Sequence, residues 1–315
     1  MPLPSIPPSA PFVPTKFNSE YWIDPVNGLD SNVGSTPAKP WKTLTKAFST
    51  VGNGVNLNLA VGTYTESPIT STLQDLNITG MSGASNIVNV STQLTFNHSS
   101  SSVFLTNIYF GTVIFSGDGN LYLDGSTVSN VLSKTGNGYL GMFKSNTKGN
   151  LLTGSVNITG SGNVDISASS TGLMSINNSS AKVLYQGCIN SNPITLTSGS
   201  LYISGSQIYS LDEISNSITT SAGTTVEVSG SQLLTPNGSL SRINIGGLYS
   251  LQGVQFDSVS SLITGSSLGI TTNFDNINIS TINIDGGSIN NTSIGITTPA
   301  EISATKYLNM SGGSF

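Results

Sequence analysis

Charge is scarce in this chain. Lys, Arg, Asp and Glu make up 8% of its 315 residues, against roughly a quarter in ordinary soluble domains. Arg242 is the sole arginine, the net charge is −5 and the pI is near 4.6. A nucleic-acid groove needs clustered Lys and Arg to displace phosphate counterions, so this composition argues against one. Cysteine is almost missing: Cys188 stands alone. That rules out an intrachain disulfide, and the residue reads as a small buried hydrophobe. Long apolar runs are missing too. A membrane helix needs about 20 unbroken apolar residues, and no window comes close. The first residues, Met-Pro-Leu-Pro-Ser-Ile-Pro-Pro, lack the basic start and apolar core of a secretory signal. An extracellular destination would therefore require another route. The one histidine, His98, sits in Asn97-His98-Ser99-Ser100 with no acidic neighbour. It reads as a surface residue, which leaves a nucleophilic triad without a base.

Low charge combined with few β-branched residues would mean disorder. Here Ile, Val and Thr are dense and the mean hydropathy is +0.08. The expectation is a β-rich solid whose surface is built from hydroxyls and amides. A recurring pattern supports it. In Leu201 to Ile208, apolar residues at Leu201 and Ile203 precede Gly205, and Ile208 follows. Leu121, Leu123, Gly125 and Val128 repeat the spacing, as do Val226, Val228, Gly230 and Leu233. Val156, Ile158 and Gly160 fit it with a late third residue, Val164. Looser copies fall at Asn107, Gly253 and Asn276, and Gly80 and Gly187 anchor partial ones. Their separations are those of one turn of a solenoid with short strands. The interval from Gly125 to Gly160 is long enough to hide a degenerate coil near Met142-Phe143. The first two apolar residues of each copy point inward, and the Gly marks a corner.

Four segments follow from this pattern. Residues 1–18 form a Pro-rich, extended leader carrying Leu3, Ile6, Phe12, Val13 and Phe17. Two readings fit it equally: a plain tail, or an anchor whose apolar residues dock on a partner, as Pro-rich ligands do. Residues 19–72 form a capping region. Asp24, Asn27, Asp30 and Asn32 lie in a turn-rich loop; they miss the spacing of a calcium loop, and turn bonds account for them. Residues 37–51 carry the one helix, with Pro40 in its first turn, Trp41, Leu44, Ala47 and Phe48 on one face, and Gly52 ending it. Such a helix would cover the open first coil of a solenoid. Residues 73–290 are the repeat, in which Ile282 to Ile289 is a candidate second strand of the last coil. Residues 291–315 are a cap or terminus.

Tyr21-Trp22-Ile23-Asp24-Pro25, Asn27-Gly28-Leu29-Asp30-Ser31-Asn32, Pro40-Trp41-Lys42-Thr43-Leu44 and Val61-Gly62-Thr63-Tyr64-Thr65-Glu66 occur in that order. Together they resemble the N-terminal segment of pectate-lyase-like right-handed parallel β-helix proteins, in the version found in viral and phage tailspikes, fibres and other surface proteins. The likeness covers about 45 residues. It implies an all-β chain: a single-stranded right-handed parallel β-helix with an N-terminal capping helix. It also implies display on a virion surface as spike, fibre or capsid decoration, usually as a homotrimer, anchored to other virion proteins through residues 1–18. That superfamily holds lyases, hydrolases and adhesive proteins, so activity does not carry over.

Catalytic candidates are sparse. Asp124 and Asp275 are many coils apart, Asp257 lies beyond its corner, Asp212-Glu213 share a loop, Glu227 takes a different outward position, and Arg242 has no acidic company. Within one chain no pair is well placed for the roughly 5–10 Å separation that glycoside hydrolysis needs, and a pair across subunits stays open. The expectation is a protein that is not an enzyme, without metal or other cofactor. Polysaccharide depolymerase and cell-surface adhesin stay open as alternatives. For binding, Tyr122 and Tyr202 occupy one outward position in two coils, flanked by hydroxyls and amides, and could take a host glycan.

Overall fold

The computed structural model describes residues 17–81, 87–147, 154–209, 217–234, 243–244, 246–256, 263–264 and 271–273. The chain divides into two compact units, Met1–Asn278 and Ile279–Phe315. The second unit lies wholly outside the described residues, as do Leu3, Ile6, Phe12, Val13, Asp212, Glu213, Arg242, Asp257, Asp275 and the segment from Ile282 to Ile289.

The first unit is a parallel β-solenoid. Its first sheet starts at Ser19–Ile23, which pairs with Val55–Leu59, which pairs in turn with Leu76–Gly80. The ladder continues through Ser102–Thr106, Asn120–Asp124, Tyr139–Phe143 and Gly162–Ser167. It then uses the C-terminal halves of Leu173–Gln186 and Ile194–Ser204, followed by Thr225–Ser229, Leu248–Gln252 and Thr271–Asn273. Every pairing is parallel. Leu105, Leu123, Met142, Ile166, Tyr185 and Ile203 stand in register along one inward row, each with 1% or less of its surface exposed. Period-two alternation at the pleat puts the residues between them outside.

After the first sheet the chain turns a corner into short strands of a second sheet, among them Ser170–Thr171, Ile189–Asn190, Gln207–Tyr209 and Gln232–Leu234. It returns through a third sheet, which includes Leu94–Phe96, residues 131–134, Ser155–Ile158 and Ile218–Thr220. Leu201 to Ile208 is thus a first-sheet strand, a corner at Gly205 and the start of a second-sheet strand. Gly205 adopts φ +55°, and Gly125, Gly187, Gly230 and Gly253 share that left-handed geometry.

The interval from Gly125 to Gly160 does hide a coil, the strand Tyr139–Phe143, but Gly160 is not the corner that follows it. Val156 and Ile158 belong to the third sheet, and Val164 lies in the next first-sheet strand beside Leu140. The corners are Lys144 and Ala168, both at φ +47°. They hold a conformation that L residues with a Cβ seldom adopt, which is why a search for glycine passes over them.

Behind these corners runs a buried ladder of small polar side chains. The Ser126 amide donates to Ser145 Oγ at 3.2 Å, and the Ser145 amide to Ser169 Oγ at 3.1 Å. The Ser169 amide donates to Cys188 Sγ at 3.4 Å, and the Cys188 amide to Ser206 Oγ at 3.1 Å. Cys188 is buried as expected, but as a hydrogen-bonding rung in a serine row.

The helix is shorter than its apolar spacing predicts: Leu44–Thr50, with Thr43 as N-cap. Residues before it are committed elsewhere. Trp41 bridges to Ile23, stacks on Tyr21 at 5.0 Å, and donates its indole N–H to the Asn32 carbonyl at 2.8 Å. Asp30 Oδ1 accepts the Lys42 and Thr43 amides at 2.9 and 3.0 Å. Glu66 accepts the Leu44 and Thr45 amides, both at 2.7 Å. Asp24 accepts the Val26 and Asn27 amides, so the turn reading of that loop holds. Gly34, at φ +70°, lies where a Cβ would be 2.4 Å from the Trp41 ring. Leu44 and Ala47 join Ile23 and Leu57 in one core.

Candidate functional site: an outward groove on the first sheet

One outward row of the first sheet gathers the chemistry. In register it reads Phe104, Tyr122, Gly141, Asp165, Leu184, Tyr202, Glu227 and Ser250. Tyr122 and Tyr202 do share this row, but four rungs separate them, about 19 Å at the spacing of a parallel sheet. They therefore belong to two different places.

Tyr122 lies in an aromatic cluster. Its ring stacks on Phe104 at 5.0 Å and meets Tyr139 at 5.4 Å and Phe143 at 6.4 Å. Burial raises its phenol pKa. Phe17, the last apolar residue of the leader, meets Phe104 edge-on at 6.4 Å, so it is engaged within its own chain. Phe104 is 5% exposed although it points away from the solenoid interior.

Tyr202 borders an open groove of about 260 Å³, with Leu184, Gln186, Ser204, Glu227, Ser229, Ser250 and Gln252 among its other lining residues. The groove exists because three consecutive rungs offer Leu, Tyr and Glu in one row while the next row along offers Gln186, Ser204, Ser229 and Gln252. Small hydroxyl residues leave room beside the phenol ring. Glu227 Oε2 is buried in this wall without a hydrogen-bond partner among the described residues. Across the glycine corner, Gln207 Nε2 donates to Gln232 Oε1 and Gln232 Nε2 to Gln255 Oε1, each at 2.9 Å.

Asp165 is a functional candidate that the repeat pattern missed. Its Oδ2 lies 3.4 Å from the Tyr139 hydroxyl that donates to it, its Oδ1 has no partner among the described residues, and burial raises its pKa. It is three rungs from Glu227, about 14 Å. With the corner at Ala168 and not at Gly160, Asp165 falls in the tyrosine row.

His98 is not a surface residue. It is 1% exposed and stacks on Phe115 at 5.4 Å. Its Nε2 lies 2.9 Å from the Asn120 carbonyl, which can only accept, so Nε2 carries the proton. Burial lowers its pKa. It faces the interior, away from the groove row. Among the described residues, no group of three or more His, Cys, Asp or Glu could hold a metal, and no helix is long and apolar enough to cross a membrane.

Comparison with known proteins adds little to this geometry. A family model described as "Protein of unknown function (DUF1565)" matches residues 26–73, the stretch of the loop, the helix and the first strands. No curated protein matches. Solved structures similar to the chain include pectate lyase Pel9A, at 12% identity and TM-score 0.35, covering 82% of this chain and 79% of that one. A GH136 lacto-N-biosidase from Eubacterium ramulus has 9% identity and TM-score 0.34, covering 81% and 68%. A rhamnogalacturonan lyase has 12% identity and TM-score 0.31, covering 74% and 73%.

Proposed function

We propose that this chain is a virion surface protein, a spike, fibre or capsid decoration, whose β-solenoid binds a host-surface glycan without cleaving it. The observation that carries the binding part is the groove beside Tyr202: an outward phenol ring framed by glutamine amides and serine hydroxyls. Sugars present an apolar ring face to an aromatic and hydroxyls to amides, and such a surface offers both. The virion part rests on the resemblance of the N-terminal segment and on the low-charge, hydroxyl-rich exterior. Anchoring through the leader and trimeric assembly belong to the same reading. The non-catalytic part rests on spacing, since Asp165 and Glu227 stand about 14 Å apart by rung count, beyond the roughly 5–10 Å of glycosidase pairs.

A depolymerase is the second reading. It is favoured by the same two carboxyls, each with one buried oxygen lacking a partner. One experiment separates the two. Purified particles are labelled with antibody to residues 73–290, and the isolated chain is incubated with host polysaccharide while reducing ends and unsaturated products are followed. Surface labelling with retained glycan and no products supports display and binding. Product release lost in Glu227→Gln or Asp165→Asn supports the depolymerase, and absence from particles refutes the virion role.

A further inference from the structure

The groove also carries information on the kind of sugar it takes. Glu227 is the only charged residue among the described residues that line it. Its row neighbours are Tyr202 on one side and Ser250 on the other, each one rung away, about 4.8 Å. A carboxylate can only accept hydrogen bonds. Its buried Oε2 accepts none among the described residues, and a buried acceptor left unpaired is costly. Solvent can supply the missing donor while the groove is open, and a sugar hydroxyl can take its place when a ligand fills it. A pyranose ring stacked on Tyr202 spans about one rung, which brings a ring hydroxyl over Glu227. The same carboxylate repels an anionic sugar, and among the described lining residues there is no Lys or Arg to offset it. Lys182, two residues before Leu184 on the same rung, lies outside the lining.

We infer that the groove selects neutral glycans, with Glu227 accepting a sugar hydroxyl, and discriminates against uronate chains. This rests on the glycan-binding reading above and names its ligand class. The test is titration calorimetry of the full chain with maltohexaose, cellohexaose and mannohexaose, and with hexagalacturonate and hexamannuronate as acidic counterparts. A neutral hexasaccharide is expected to bind, and Tyr202→Ala to abolish that binding. Glu227→Gln is expected to weaken it about tenfold, the loss of a hydrogen bond to a charged group, and to narrow the gap to the uronates. Circular dichroism of each variant confirms that the solenoid is intact. Tighter binding of a uronate that depends on Tyr202 overturns the inference and leaves the groove reading standing. So does neutral binding that Glu227→Gln leaves unchanged. If no sugar of either set binds, the groove reading falls and this inference with it.

Discussion

Lys134 holds the inward place on the third sheet that Phe115 holds one turn earlier. Neither has measurable exposed surface. The Lys134 ammonium donates to the Gly136 carbonyl at 2.7 Å and to the Ser161 carbonyl. Two carbonyls stand where a carboxylate would normally be needed to hold a buried charge.

That placement sets a pH dependence. Burial lowers the Lys134 pKa from 10.5 to about 8. Between those values the unfolded chain keeps a proton that the folded chain has lost, so this residue's contribution to stability rises with pH across that window. Cys188, pushed up from 9.0 to about 11 by burial, acts in the opposite sense above pH 9. The comparison must therefore be with Lys134→Met, in which Cys188 is unchanged. Urea unfolding between about pH 7.5 and 10 should show wild type gaining on the variant as pH rises. A difference that stays flat would place the ammonium in solvent.

Cys188 stands in a serine row, and that fixes what can replace it. Its Sγ receives the Ser169 amide and donates to the Gln186 carbonyl at 3.1 Å. Cys188→Ser keeps both bonds and should leave the unfolding midpoint within the error of the measurement. Cys188→Val fits the volume but leaves a buried amide unpaired, at a cost of about 1–3 kcal/mol. In the native chain the thiol should resist alkylation at neutral pH, because burial disfavours the thiolate. If valine proves as good as serine, the ladder contributes nothing beyond packing.

The solenoid was legible in the sequence because Leu201, Ile203 and Gly205 state an inside and a corner in five residues. The same rule failed at Lys144 and Ala168. There the strands stacked on either side impose a left-handed corner on residues that would not choose it, and no local signal records that. A corner at Gly160 would put Asp165 outside the row of Tyr122 and Tyr202, so one unsignalled corner hides a second feature. His98 failed for another reason. Its loop is polar, but Gly119 makes room for the imidazole, since a Cβ there would lie 2.4 Å from the ring. The room sits one turn later in the chain, where a local reading does not look. The helix start was misplaced because Asp30 and Glu66, distant in sequence, claim the amides that Pro40 was expected to introduce.

Ala168 gives a direct test of the corner assignment. It is exposed, at φ +47°. The left-handed region costs an L residue about 1–2 kcal/mol, and glycine's greater freedom when unfolded returns about 0.5–1 of that. Ala168→Gly should therefore stabilise the chain by about 0.5–1 kcal/mol. Gly187→Ala, at the equivalent corner with open space around it, should destabilise by a similar amount. Thermal unfolding of both variants reads the pair, and shifts of the same sign would break the equivalence of the two corners.

Glu66 ties the first turn of the solenoid to the helix that packs on it. Its two carboxyl oxygens take the Leu44 and Thr45 amides, and Oε2 also takes the Thr45 hydroxyl at 2.5 Å. These amides open the helix and have no partner within it. The Glu66 amide in turn donates to Thr92 Oγ1 at 2.8 Å, so helix, turn and the following rung are joined through one residue. Glu66→Ala should cost about 1–2 kcal/mol, in the range of a lost N-terminal cap with its dipole contribution. Glu66→Gln keeps one acceptor and should cost less. The loss should appear first as faster hydrogen exchange at Leu44 and Thr45, before global unfolding. If those amides stay protected in Glu66→Ala, the clamp is redundant, and Thr43, which accepts the Lys46 amide at 3.0 Å, holds the helix start alone.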